Sequence, residues 1–249
     1  WDLAQVMTQV PHAPDWVDGF EAGWGAWTEE VIGQSSPPTN WEMGAPAAGP
    51  GTAYEGTDCA GTNLFSGEYY AGADIALVSP HVELGAGAQT FSFSTWYYID
   101  TMGLDGGFVE ISDGGGWSQI FPDVGYPMTS GYTGGYMCDA FSGISSGWEY
   151  YDFNLSAYAG QVVQVRFHFA ASDWFGNQSG WYVDDIVFGG GGTPVDILYI
   201  SGEDKSVVFV GDPIDPQAGG ANYLMLNLSL DASSGTVTLD WLDVALTGN

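Results

Sequence analysis

The sequence predicts an all-β fold: an antiparallel sandwich followed by a second, smaller β unit. Three observations carry this. From Asp15 onward apolar and polar residues alternate in short runs, the period of a strand with one buried face. Clusters of Gly, Pro, Ser and Asn separate the runs, and 38 Gly and 12 Pro in 249 residues supply a turn between each pair. The clearest run, Val162–Ala170, places Val163, Val165, Phe167 and Phe169 on one face and Gln164, Arg166 and His168 on the other.

Taken in order, residues 1–14 form an N-terminal arm. Leu3, Val6, Met7 and Val10 sit at helical spacing, and Pro11 and Pro14 stop the pattern, so a short helix and an extended arm both fit. Residues 15–189 form the first domain. Gly33–Asn40 and Gly44–Gly51 read as loops. The strands expected after them are Ile75–Ser79, Thr90–Ile99, Gly107–Ser112, Trp117–Phe121, Trp148–Phe153, Val162–Ala170 and Gly180–Phe188. Asp113-Gly114-Gly115-Gly116 joins two of them as a hairpin, because glycine supplies the positive φ that such turns need. Residues 190–194 read as a Gly-rich linker ending in Thr193-Pro194. Residues 195–249 then resume strand patterns at Val195–Ser201, Ser206–Val210, Tyr223–Leu230 and Val237–Leu246, with a hairpin at Asp231–Gly235. This last unit is small for a sandwich of its own, and reads as a truncated domain or a segment that donates strands to another chain.

Charge narrows the function classes. Asp and Glu number 31 against two basic residues, Arg166 and Lys205, for a formal net charge of −29. Nucleic-acid binding requires basic groups to replace phosphate counterions, and an anionic membrane surface repels such a chain. No apolar run approaches the length of a bilayer span, which excludes helical membrane insertion. So many uncompensated carboxylates suit a medium rich in salt or divalent cations, or one acidic enough to protonate some of them.

Composition favours a secreted or cell-surface protein. Cys59 and Cys138 lie far apart, with no CxxC or zinc-type spacing. They form either a disulfide, worth about 4–5 kcal/mol by loop closure, or two buried thiols. Asn154, Asn177 and Asn227 each begin an Asn-x-Ser sequon and are candidate glycosylation sites. The chain opens at Trp1 with no leader pattern, so either a leader has been removed or a longer protein has been cut.

Several segments appear in the order of a known module. Gly19-Phe20-Glu21 begins it, with Trp24 and Trp27 close behind, then Trp41-Glu42-Met43-Gly44-Ala45-Pro46, Gly61-Thr62-Asn63-Leu64 and Ala76-Leu77-Val78-Ser79-Pro80. Phe91–Tyr98 and Gly107–Ser112 match its central strands, Leu155–Gln161 leads into the long strand, and Gly180-Trp181-Tyr182-Val183-Asp184-Asp185-Ile186 closes it. Over residues 15–189 the chain resembles the MAM-type, concanavalin-like jelly roll. Relatives trail the catalytic domain of secreted metallopeptidases of the immune inhibitor A type and occur in microbial surface proteins. The resemblance implies a two-layer antiparallel sandwich with a non-catalytic role in adhesion, assembly or substrate contact. The chain has no HExxH, so the peptidase activity of those relatives does not carry over.

The resemblance also implies a structural calcium where the first and last strands meet, since such a hard cation takes six to eight oxygens. Glu21 matches the early acid and Asp184 and Asp185 the terminal pair. Neighbours on a strand point to opposite faces, so one of that pair would bind. Asp74 is a looser candidate. Catalytic signals are weak. Gly143-Ile144-Ser145-Ser146-Gly147 fits G-x-S-x-G but has no strand–turn–helix context. His12, His81 and His168 do not pair at metal spacing, and His168 reads as a surface residue on a polar strand face. With 11 Trp, 14 Tyr and 13 Phe, exposed rings are candidates for stacking on sugars, with Trp117, Tyr132, Trp174 and Phe175 foremost. Core and subunit contacts are the commoner use of such rings.

These readings converge on a non-catalytic extracellular structural or adhesion protein. It would be a calcium-stabilised subunit of a surface layer or filament, assembling with itself or other surface proteins through strand edges and aromatic contacts. Two alternatives stand beside it: a carbohydrate-binding module whose partners are glycans, and an accessory domain of a larger secreted hydrolase.

Overall fold

Two antiparallel sheets face one another across a core built largely of aromatic rings. The computed structural model describes residues 11–12, 15–174 and 176–189. The first sheet runs β12 (Glu149–Asn154), β7 (Thr90–Tyr98), β14 (Gly180–Gly189), β4 (Cys59–Thr62), β3 (Trp41–Gly44), with β1 (Trp16–Asp18) also on β14. The second runs β2 (Thr28–Gly33), β5 (Asp74–Val78), β13 (Val162–Ala170), β8 (Gly106–Ser112), β9 (Ser118–Gln119), with β6 (Val82–Glu83) also on β13. A two-stranded ribbon, β10 (Met128–Thr133) and β11 (Tyr136–Ala140), completes the described set. The all-β sandwich expected from the alternation is therefore the fold.

Alternation decides which side chains enter the core. Phe91 and Phe93 of β7, Phe167 of β13 and Trp181 of β14 are fully buried. Phe93 meets Phe167 edge-on at 4.9 Å, and Phe167 meets Trp181 edge-on at 5.6 Å. Burying each ring contributes roughly 1.5–3 kcal/mol, and each ring pair about 0.5–1.5 kcal/mol more. The Trp181 indole N–H donates to Thr95 Oγ1 at 2.8 Å, so its polar end is satisfied inside the core. Its ring lies over the backbone of Gly107, where a Cβ would fall among the indole carbons. Only glycine fits there.

The seven expected strands of the sandwich appear as β5, β7, β8, β9, β12, β13 and β14, and Asp113–Gly116 does join a hairpin, β8 to β9. Trp117–Phe121 shrinks to the two residues of β9. The expected Cys59–Cys138 disulfide is not formed. Both thiols are free and buried, Cys59 in a small cluster with Leu64 and Tyr182, Cys138 in the main core. They pack into different clusters, and burial raises the Cys59 thiol and the Cys138 thiol alike. Of the arm, His12 pairs with Val82 and stacks on Trp16 at 4.5 Å. The helical pattern of 1–10, the linker 190–194, the unit 195–249 and Asn227 lie outside the described residues. Asn154 and Asn177 are exposed.

Candidate functional site

Each sheet carries a polar cluster on its outer face, and the two are built differently. On the second sheet the central strand β13 points Arg166 and His168 outward, between β5 and β8. His168 Nε2 lies 2.6 Å from Asp74 Oδ1, and Nδ1 lies 2.9 Å from Glu110 Oε2. Two carboxylates on the two ring nitrogens favour the imidazolium, in which both nitrogens donate. Burial alone would lower the His168 pKa, but the bonds to Asp74 and Glu110 outweigh it and the pKa is raised. Glu110 also accepts from Arg166 Nε at 2.7 Å, while Arg166 Nη1 donates to Glu30 at 2.7 Å. Burial would raise Glu110, and these donors bring it below the ordinary range instead. Tyr136 donates its hydroxyl to Asp74 at 2.9 Å and stands edge-on to the imidazole. Trp117 lies over the Arg166 guanidinium at 4.5 Å.

This arrangement corrects two expectations. His168 is not a surface residue: it is 1% exposed. Asp74 is not near the proposed calcium position but is the partner of His168. The sequence did carry a signal for the cluster. Arg166, one of two basic residues in the chain, and His168 share the polar face of one central strand, where acids of neighbouring strands meet them.

On the first sheet the corner between β14 and the loop 52–58 gathers carboxylates that accept backbone amides. Glu21 Oε1 accepts the amides of Thr57 and Asp58 at 2.7 and 2.8 Å. Asp184 Oδ2 accepts those of Tyr54 and Glu55 at 2.9 and 3.2 Å, and its Oδ1 accepts the amide of Asp185 at 2.7 Å. Asp184 is wholly buried, and burial pushes its pKa up to about 7 against the pull of those three amides. Asp185 sits at a bulge in β14 with φ 52°. The structure thus brings Glu21 and Asp184 to one loop. No three His, Cys, Asp or Glu side chains converge on a metal position among the described residues.

The catalytic signals dissolve in the structure. Ser145 is buried, and its hydroxyl accepts the amide of Tyr97 at 3.0 Å and donates to the Tyr97 carbonyl at 3.2 Å. Both nitrogens of His168 are held by carboxylates, and no Ser–His pair occurs among the described residues. Of the aromatic candidates, Trp174 is 84% exposed and Tyr132 57%. Trp117 is half-buried on Arg166, and Phe175 lies outside the described residues. Trp117, Tyr132 and Trp174 make no ring contact with one another. A different set of rings does, on the first sheet. Trp96 of β7 meets Tyr182 edge-on at 5.4 Å, and Tyr54 of the covering loop meets Trp148 at 6.1 Å. Trp148 donates its indole N–H to the Thr52 carbonyl at 3.2 Å. Sequence reasoning missed this set because its rings come from a loop and two strands.

No protein-family model matches the chain, so the MAM-type likeness stands as a resemblance. Over 189 residues the chain is 30% identical to Bacillopeptidase F of Bacillus subtilis (strain 168), a match that takes in 75% of this chain and 11% of that protein. The chain therefore spans about a tenth of the length of this relative. Among solved structures it is similar to TmCBM61 in complex with β-1,4-galactotriose, with 16% identity, 68% of this chain, 92% of the other and a TM-score of 0.43. The K1 cleaved adhesin domain of Lys-gingipain from Porphyromonas gingivalis W83 gives 16%, 72%, 99% and 0.42. A xylan-binding domain from CBM 22 gives 12%, 72%, 96% and 0.41. No helix among the described residues is long and apolar enough to cross a membrane.

Proposed function

We propose that this chain is a non-catalytic module that works outside the cell as an accessory part of a peptidase-type protein, making contact with a surface or partner. The observation that carries the reading is the 30% match to a peptidase of which the module accounts for 11%. The bonding of Ser145 and His168 supports the non-catalytic part, since neither presents a free nucleophile or base. The acidic composition is compatible with an exported β module. The test is turnover by the purified chain on casein and on chromogenic esters. The expected result is no hydrolysis. Turnover abolished by Ser145→Ala or His168→Ala would overturn the reading.

One observation favours a second reading, assembly through strand edges. β2 ends its sheet among the described residues, and its Val31 and Ile32 are 49% and 42% exposed. An exposed apolar edge invites another strand. Light scattering coupled to size exclusion, in millimolar calcium and again in EDTA, separates the readings. Large species that dissociate in EDTA would favour the calcium-stabilised layer or filament. A particle of one chain mass in both would leave the accessory module.

A further inference from the structure

The outer face of the first sheet carries a strip of aromatic rings that the core does not use. Along β7 the outward positions are Ser92, Ser94, Trp96 and Tyr98; along β12 and the residue before it they are Trp148, Tyr150 and Asp152. The pairing of Tyr150 with Ser94 and of Asp152 with Ser92 sets the two rows side by side. Tyr54, from the loop that covers Tyr182 and Asp184, leans on Trp148 and extends the strip sideways. Tyr54, Tyr98 and Tyr150 are 48%, 40% and 44% exposed, which leaves ring faces open on a single surface. From Tyr150, opposite Ser94, to Tyr98 the rings run about 13 Å at the usual rise of a strand.

We propose that this strip is a binding platform for an uncharged polysaccharide. Its pyranose rings would stack by their C–H faces on Tyr54, Trp148 and Tyr150. Their hydroxyls would donate to the carboxylate of Asp152 and exchange hydrogen bonds with the tyrosine hydroxyls. Charge argues against two other occupants. A net charge of −29 repels polyanions and opposes a second copy of the chain at the same face. Arg166, the one Lys or Arg among the described residues, and His168 are both committed on the other sheet. An uncharged chain of sugar rings supplies flat apolar faces and many donors, which match rings flanked by acceptors. The proposal deepens the accessory-module reading and rests on it for the extracellular setting.

Affinity electrophoresis in gels containing hydroxyethylcellulose, xylan or galactan tests the platform, with polygalacturonate as the anionic control. At least one neutral polymer is expected to retard the chain, and polygalacturonate is not. Tyr54→Ala and Tyr150→Ala should each weaken the retardation about tenfold, the loss of roughly one stacked ring. Trp174→Ala and Tyr132→Ala, exposed elsewhere, should leave it unchanged. Far-UV circular dichroism of each variant confirms that the sandwich is intact, since the substituted rings are at the surface. Absence of retardation by every neutral polymer, or retardation indifferent to Tyr54 and Tyr150, would overturn the proposal. Either result leaves the non-catalytic reading standing, because that reading falls only to measured turnover.

Discussion

Replacing Asp184 by Asn should flatten the dependence of stability on pH. The carboxyl is wholly buried, has three backbone amides for company and meets no described cation. Its pKa is pushed from 3.8 to about 7, chiefly by burial. A difference of about three units at 1.36 kcal/mol each is on the order of 4 kcal/mol. Between those two values the folded chain holds a proton that the unfolded chain has lost. The stabilisation from the protonated carboxyl is therefore complete below about pH 4, falls as the pH rises, and is gone above about pH 7. Asparagine keeps the shape and one acceptor oxygen, and it never ionises. It leaves at least one of the three amides without its acceptor, a cost of roughly 1–3 kcal/mol that does not vary with pH.

The informative quantity is thus the difference between the two proteins. Urea unfolding in EDTA, at steps from about pH 4 to about pH 8, should show Asp184→Asn gaining on the parent by about 4 kcal/mol across the range. In thermal melts that is a relative shift of about 8–16 °C for a domain of this size. Other shifted groups, such as Asp105 and Glu29, which burial raises, are common to both proteins and cancel. Parallel profiles at all pH values would refute the account of Asp184 as a buried, uncompensated acid.

Three further outcomes follow from the described contacts. His168→Ala removes the bridge between Asp74 and Glu110 and should cost about 3–5 kcal/mol in urea unfolding, as for other broken buried ion pairs; a loss below about 1 kcal/mol would make the cluster incidental. Gly107→Ala drives a methyl into the Trp181 ring and should destabilise by about 1–3 kcal/mol or more, with an altered near-UV signal from the indole. Calcium at the Glu21–Asp184 corner would favour the ionised carboxylate, so millimolar calcium should raise the melting temperature near pH 7.5 relative to EDTA, and Glu21→Gln should abolish the rise; equal melting temperatures for the parent remove calcium from that corner.

The strands that were legible in the sequence are long ones with a clean alternation, because such a pattern has one reading: β7, β13 and β14 appear within a residue or two of where the periodicity puts them. The strands that were missed are short or glycine-bearing. β4 is Cys-Ala-Gly-Thr, buried on both faces under its covering loop, so nothing alternates. β10 and β11 form a separate ribbon whose pattern of exposure is irregular. At the sites the same rule holds. Glu21 and Asp184, which the ordered segment matches single out, each accept amides of the loop 52–58, and metal binding by them is a proposal. The Asp74–His168–Glu110 bridge was not found, because period two says which face a side chain takes but not which neighbours stand beside it. That depends on the order β5, β13, β8, a property of the topology. The disulfide expectation failed for a related reason. Two cysteines far apart in sequence carry no information about which cluster each enters, and these two enter different ones.

The two polar clusters together set a preferred pH for the fold. A chain this acidic must bury some carboxylates, and it handles them in two ways. On the second sheet it uses one arginine and one histidine against three acids. His168 is raised above 6.5, so its contribution is full below that value and is lost as pH rises through the folded pKa. Glu110 is lowered below 4.5, so its contribution is full above that value and is lost as pH falls. The cluster is therefore at full strength between about 4.5 and 6.5. On the first sheet Asp184 meets no cation among the described residues and relies on amides and a proton, which favours the acid side of neutrality. The two windows overlap in mildly acidic solution. The parent chain should accordingly be most stable there and weaken toward alkaline pH. In Asp184→Asn the stability maximum should broaden upward, whereas in His168→Ala it should lose height without gaining breadth. A parent chain most stable above about pH 8 would contradict both assignments at once.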